Sequence, residues 1–277
     1  MKLGVSYTVF DGIELLEHSI LQIRKYVDFI QVSYQTLSWF GRTASIEDIN
    51  TLKILKRKGL IDSLDIFNNF KVLTNKSRGS ISLSKKYETE KRQFGMNICL
   101  EKKCTHFISM DVDEFYISDD FSRAKNIILE NNISQSSCSF INYVKEPIYS
   151  RGVDSSTVPF ICKINNNSRM CSRFFTKCDP TRGITNNIAG INKKFNKDTL
   201  VMHHMETVRK DLNKKYESTT RAIFKRERTK DLVKGIKSVN EQTDMFSFNK
   251  IIFPGTPPVK LKKTDNIFNI PYKTWDL

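Results

Sequence analysis

Long apolar runs are missing from this chain; the longest are too short to cross a bilayer. The N-terminus, Met1 to Val5, leads straight into a strand pattern, without the apolar stretch and cleavage site of a signal peptide. The expected location is therefore the cytoplasm. The six cysteines, at positions 99, 104, 138, 162, 171 and 178, form no Cys-x-x-Cys pair. That argues against a zinc site and for reduced, mostly buried thiols. No Gly-x-Gly-x-x-Gly follows the first strand pattern, which argues against a dinucleotide-binding fold. Zinc-finger, RNA-recognition and helix-turn-helix signatures are lacking too, as are internal repeats.

Negative charge is scarce. Thirty Asp and Glu stand against 45 Lys and Arg, a net charge of +15. The surplus implies attraction to something anionic: nucleic acid, a membrane face or a phosphorylated substrate. With 39% hydrophobic and 27% charged residues, 277 residues suffice for one large packed domain or a domain with an appendage.

Three of the scarce carboxylates stand together. Thr105 to Tyr116 opens as a short apolar run, right for a buried parallel strand, and ends in Asp111, Asp113 and Glu114. Open α/β sheets bind ligands at the carboxyl ends of their strands. Two carboxylates in an Asp-x-Asp pair beside apolar walls repel unless a cation sits between them. Mg²⁺ and Mn²⁺ take oxygen ligands, typically a carboxylate or two plus substrate phosphates. The direct reading is a divalent-metal site that holds a diphosphate. The bland alternative is a solvated acidic turn, since a bare Asp-x-Asp arises by chance in a chain this long.

Residues 3–10 read as a first strand. Asp11 with Glu14 resembles a capping box, and Ile13, Leu16, Ile20, Ile23 and Val27 have helical spacing over 12–26. Phe29 to Tyr34 is a second strand, so the turn from Thr8 to Gly12 is a usual place for a nucleotide. Ser45 and Asp48 cap another helix, and Leu64 to Phe67 is a third strand. A polar loop is expected over 74–84 and a helix over 85–102, on which Arg92 reads as a solvated arginine or a ligand contact. After Tyr116 come a helix over 122–131 and antiparallel strands over 137–144, 158–164 and 173–177. Residues 179–194 read as a loop. A strand over 199–202 leads into His203 and His204, which alternate across the strand so that one can enter a cleft. A long basic helix follows on Val208, Leu212, Tyr216 and Ile223. From 203 to 237 there are eleven Lys and Arg against five Asp and Glu, an excess of +6 (11 − 5). The tail, with Pro254, Pro257, Pro258 and Pro271, reads as irregular and wrapped on the surface.

Four stretches together resemble the GT-A fold glycosyltransferases, near the family-2-like enzymes: Val5–Leu16, Lys91–Gly95, Met110–Tyr116, and His203–Met205 with Val208–Lys210. The likeness spans roughly residues 3–215. It implies an α/β fold with a mixed, mostly parallel central sheet flanked by helices. A catalytic domain over 1–237 is expected, its nucleotide half about 1–120 and its acceptor half about 121–237. A C-terminal extension over 238–277 would pack on it. The resemblance implies substrate contacts from Tyr7, Thr8, Val9, Asp11, Gln35, Arg92, Asp111 and Lys210. It implies Mn²⁺ or Mg²⁺ held by Asp111, Asp113 and His203 or His204. Glu146 and Asp179 are the candidates for the base of an inverting hexosyl transfer. The expected donor is a nucleotide-diphosphate sugar, UDP-sugar favoured, and the acceptor a glycan or lipid-linked hydroxyl, as in surface glycan or lipopolysaccharide-type synthesis. Peripheral contact with the anionic inner membrane face is a further expectation. Where the family's second strand is often followed by an Asp that reads the base, this chain has Tyr34-Gln35-Thr36, which leaves the base open. The rivals are a basic nucleic-acid-binding protein, although no nucleic acid is expected, and a metal-dependent nucleotidyltransferase.

Overall fold

The sheet is built around two strands with hardly a solvent-facing residue, β1 (Leu3–Val9) and β2 (Phe29–Tyr34). Strands buried on both faces belong in the middle of a sheet covered by helices on each side. The computed structural model, which describes residues 1–73, 78–218, 226–246 and 258–275, has that architecture. β1 pairs in parallel with β2 on one side and with β4 (His106–Asp111) on the other. β2 pairs in parallel with β3 (Ser63–Ile66). The sheet then turns mixed. β7 (Glu146–Lys163) runs antiparallel to β4 and to β6 (Ile133–Val144), and β11 (Val201–His204) lies parallel to β6 and antiparallel to the two-residue β5 (Glu114–Phe115). The result is the mostly parallel mixed sheet flanked by helices that the sequence implied.

Helices cover both faces. α1 (Ile13–Ile23), α2 (Ile46–Arg57) and α4 (Ser118–Glu130) supply Leu16, Ile20, Leu52, Leu55, Phe121 and Ile128 to the main core. On the other face α3 (Arg78–Glu101) brings Met96 and Cys99 against Phe29 and Phe107. α3 lies unusually close to β1 because position 95 is glycine; a Cβ there would overlap the Ser6 side chain and press on Gln31. Ser6 and Gln31 use that room to hydrogen-bond at 2.6 Å. The late residues Phe268, Ile270, Tyr272 and Trp275 pack with Leu15, Phe115, Met205 and Val208. Lys262 and Lys263 pair with β7. All six thiols are free, four of them buried.

Several expected boundaries move. Asp11 caps nothing: Gly12, at φ 74°, is the N-cap of α1, and the Glu14 carboxylate accepts from the Lys210 N–H instead. Ser45 does cap α2, accepting from the Asp48 N–H at 3.0 Å. α3 begins by Arg78, seven residues before expected, as Ser80 and Ser84 are buried on its inner side; residues 74–77 lie outside the described chain. No strand forms over 173–177. Short strands appear instead at β8 (Arg169–Cys171), β9 (Gly183–Thr185) and β10 (Ile191–Lys194), inside and beside the expected loop. After His204 the chain runs irregularly to Asp211, so Val208 lies before the helix and not on it. α5 (Leu212–Ser218) and α6 (Arg226–Lys237) follow, with Ile223 outside the described residues. Pro254 and Pro257 also lie outside them.

Candidate functional site

A cleft of about 220 Å³ opens where β1 and β4 end, lined by the β1–α1 turn, the loop after β2, α3 and α5. Parallel strands deliver their last residues to one edge, and here Thr8 pairs in register with Asp111. The two side chains also hydrogen-bond. Of the residues expected on sequence grounds, Thr8, Asp11, Gln35, Asp111 and Asp113 line the cleft. Tyr7 does not. It lies on the α1 face of β1, wholly buried, with its hydroxyl 2.9 Å from Ser19 Oγ. Val9 contributes its carbonyl, which accepts from Lys91 Nζ at 2.8 Å.

The carboxylates do face cations, and these are the protein's own. Asp111 is held by Arg92 Nη2 at 3.0 Å and by Arg182, which also reaches Glu114 at 2.5 Å. Burial pushes the Asp111 carboxyl upward, but Arg182 and Arg92 overcome it and hold the group well below the carboxylate range. Arg92 is thus neither solvated nor in the cleft; it lies buried beneath Asp111, shared with Glu88 and Ser109. Asp113, itself buried, bonds through Oδ2 to Lys215 Nζ at 2.8 Å and to Arg209. Burial opposes its ionisation, yet Lys215 and Arg209 keep it well below the ordinary value.

The basic residue that enters from the segment after β11 is Arg209. Lys210, the expected one, is exposed and takes part through its backbone. The Arg209 guanidinium lies where a Cβ on residue 12 would be, so only glycine leaves room for it. Arg209 is buried, with Nη1 3.9 Å from Asp11 Oδ1. Its Nε and Nη1 have no hydrogen-bond partner among the described residues.

Strand alternation separates the two histidines. His203 is buried against Phe268 and Tyr143, with Nδ1 2.9 Å from the Tyr143 hydroxyl, and burial lowers its pKa to about 4. His204 points to the cleft side. Its Nδ1 is 2.9 Å from Asn142 Oδ1 and its Nε2 lies 3.8 Å from Asp113 Oδ1. An amide oxygen at Nδ1 requires the N–H there and leaves the Nε2 lone pair free, the arrangement of a metal-ligating imidazole with its supporting acceptor. Asp113 Oδ1 and His204 Nε2 therefore fit as two donors for one divalent cation. Asp111 is turned to its arginines and does not join them, and no cluster of three or more metal-ligating side chains occurs among the described residues.

The candidate bases lie elsewhere. Glu146 starts β7 with Lys145 Nζ 3.8 Å away, and Asp179 closes a turn by accepting from the Thr181 N–H at 2.7 Å. Neither lines the cleft. Composition and spacing did not reveal Lys91, Ser38, Trp39 and Lys215, which do. The one usable signal was the Lys91-Arg92 pair on a helix that leads into the acidic strand.

No protein-family model and no curated protein matches the chain. Among solved structures it is similar to S. aureus TarS 1–349 in complex with UDP-GlcNAc, at 10% identity and a TM-score of 0.31. That match covers 53% of this chain and 35% of that one. It is also similar to CMP:2-keto-3-deoxy-manno-octonic acid synthetase complexed with CTP, at 8% identity and a TM-score of 0.33, covering 58% and 64%. The chain thus spans about a third of the TarS fragment, and at such TM-scores neither likeness bears on its activity. No helix among the described residues is long and apolar enough to cross a membrane.

Proposed function

We propose that the cleft binds a nucleotide-diphosphate sugar and that the protein transfers the sugar to an acceptor hydroxyl on a glycan or lipid-linked acceptor. The observation that carries this reading is Arg209, buried at the carboxyl edge of the sheet with two unsatisfied N–H groups, beside Lys215 and above a glycine turn. Buried donors without acceptors are costly, and an oxyanion of a diphosphate supplies what they lack. Asp113 fixes both cations by one oxygen, so they are in place before the ligand arrives. As the acceptor hydroxyl gives its proton to solvent and its oxygen bonds to the anomeric carbon, the bond to the diphosphate breaks and negative charge grows on the leaving oxygen beside these donors.

Asp113 Oδ1 and His204 Nε2 are the residues that would hold Mn²⁺ or Mg²⁺ in this reading. A cation there would add Lewis-acid stabilisation of the leaving diphosphate.

The test is to incubate the protein and Mn²⁺ with UDP-, GDP- and dTDP-sugars and to follow release of the nucleoside diphosphate. Metal-dependent release is expected, weakened in His204→Ala and kept in His203→Ala. A nucleoside diphosphate should also raise the melting temperature, as any ligand selective for the native state does. Pyrophosphate release from a nucleoside triphosphate and a sugar would instead indicate a nucleotidyltransferase. Duplex oligonucleotide binding at moderate salt, with no nucleotide effect, would indicate the nucleic-acid reading.

A further inference from the structure

At the end of β4 away from the cleft, two cysteines share one turn. α3 stops at Glu101, and Lys103, at φ 59°, takes the left-handed conformation that closes a helix. The Cys104 N–H bonds to Cys99 O at 3.0 Å and the Lys103 N–H to Leu100 O at 2.8 Å. This double closure folds the residue after the turn back over the last turn of the helix, where an apolar contact between the two positions commonly forms. In this chain both positions are cysteine.

Their sulfurs converge. Cys99 Sγ lies 2.8 Å and Cys104 Sγ 3.0 Å from the point that a Cβ on Gly4 would occupy, so the glycine in β1 leaves the room in which they meet. A hydrogen bond between the thiols, together with burial, holds Cys99 well above the usual thiol value. The same bond overcomes burial at Cys104 and, with the Lys2 ammonium, holds that thiol below it. Cys138 and Cys162, the other two buried thiols, are pushed up to about 12 by burial. Cys104 is only 4% exposed, but its cover is thin: Glu101, Lys102, Lys103 and Thr105 all face solvent around it.

We propose that Cys99 and Cys104 are an oxidisable dithiol, which a peroxide converts to a disulfide that clasps the end of α3 to the start of β4. The Cys104 sulfur attacks a peroxide oxygen and the O–O bond breaks, leaving a sulfenic acid on Cys104 and releasing one water. The Cys99 sulfur then attacks the Cys104 sulfur. The S–O bond breaks, and the hydroxyl leaves with the Cys99 proton as a second water. Two thiols and one hydrogen peroxide thus give one disulfide and two waters. In a reducing compartment the pair rests open and closes only when oxidant appears, the use that intracellular disulfides commonly serve. α3 carries Lys91 and Arg92 to the cleft, so the bond fixes that helix from its opposite end.

The experiment treats the reduced, unmodified protein with hydrogen peroxide, blocks the remaining thiols and digests with trypsin without reduction. Lys102 and Lys103 stand between the two cysteines, so cleavage there leaves two peptides joined only by the disulfide. The expected product is that joined pair, lighter by two hydrogen atoms than its separate peptides and parted by dithiothreitol. The oxidised protein should melt roughly 3–6 °C above the reduced one, as a short cross-linked loop does in a chain of this size. In Cys99→Ser, with folding checked by its melting transition, dimedone should trap a sulfenic acid on Cys104. A disulfide formed through other cysteines while Cys99 and Cys104 remain free overturns the proposal. So does oxidation of Cys104 to the sulfinic acid without linkage, and so does a lower melting transition in the linked protein, which would show that the turn is not built for the bond.

Discussion

Asp113 sits among more charge than any apolar wall would suggest. The Asp-x-Asp pair was expected to need a cation between its carboxylates, and the fold provides four side-chain cations: Arg92 and Arg182 for Asp111, Arg209 and Lys215 for Asp113. Removing one member of such a buried set leaves the others uncompensated, which costs more than the pair itself contributes. Asp113→Asn is therefore expected to lower stability by about 3–5 kcal/mol even without metal or nucleotide. Urea denaturation of the metal-free variant measures this; an unchanged midpoint would mean that Arg209 and Lys215 have no structural dependence on the carboxylate. Sequence spacing identified the Asp pair but not these partners. Arg182 and Lys215 come from segments whose placement depends on how the second half of the sheet closes, and no local pattern encodes that.

At the scale of the element, α3 matters most. It carries Lys91 into the cleft, Arg92 beneath Asp111 and Gly95 against β1. Alanine is the better helix former by about 1 kcal/mol. At position 95, however, its Cβ would overlap the Ser6 side chain and crowd Gln31, both fixed in the sheet interior. Gly95→Ala is thus expected to destabilise the protein and to weaken nucleotide binding, because α3 must shift and carry Lys91 with it. Denaturant melts and UDP titration of the variant test both effects; a gain in stability would show that the helix has slack. Helices and parallel strands of the first half were legible because their apolar periods were clear, and β1, α1, β2, α2 and β4 lie close to where the pattern put them. The second half was less so. β7 runs through Asp154 and Ser155 as one long irregular strand, with register shifts against β6 that break the alternation. The segment after His204 carries helical spacing at Val208 yet runs irregularly, its polar groups taken up by Tyr143 and Asp113.

Across the whole molecule, the charge of +15 exceeds what one diphosphate needs. Lys53, Lys56 and Arg57 are exposed on α2, and Lys230, Lys234 and Lys237 on α6, all outside the cleft. Among the described residues no ion pair engages these side chains, and their field reaches about 10 Å at 0.1 M salt. Sedimentation with anionic vesicles is expected to bring the protein down at low salt and to release it as salt is raised, whereas neutral vesicles should leave it in solution. Failure to sediment at low salt would show that the exposed charge does not hold the protein to an anionic surface.

β11 has a consequence for the making of the protein. His204 stands beside Asp113 only because β11 is inserted between β6 and β5, pairing His204 with Glu114 some ninety residues upstream. Arg209 and Lys215 arrive a few residues later still. A nascent chain that has emerged through β4 already carries its acidic pair, but no part of what balances Asp113. During synthesis the centre can therefore be complete only after the segment from Val201 to Ser218 has been made. Any arrested or clipped product ending before that segment would keep the sequence of the first parallel strands but lack His204, Arg209 and Lys215, and with them every side chain that faces the Asp113 carboxylate.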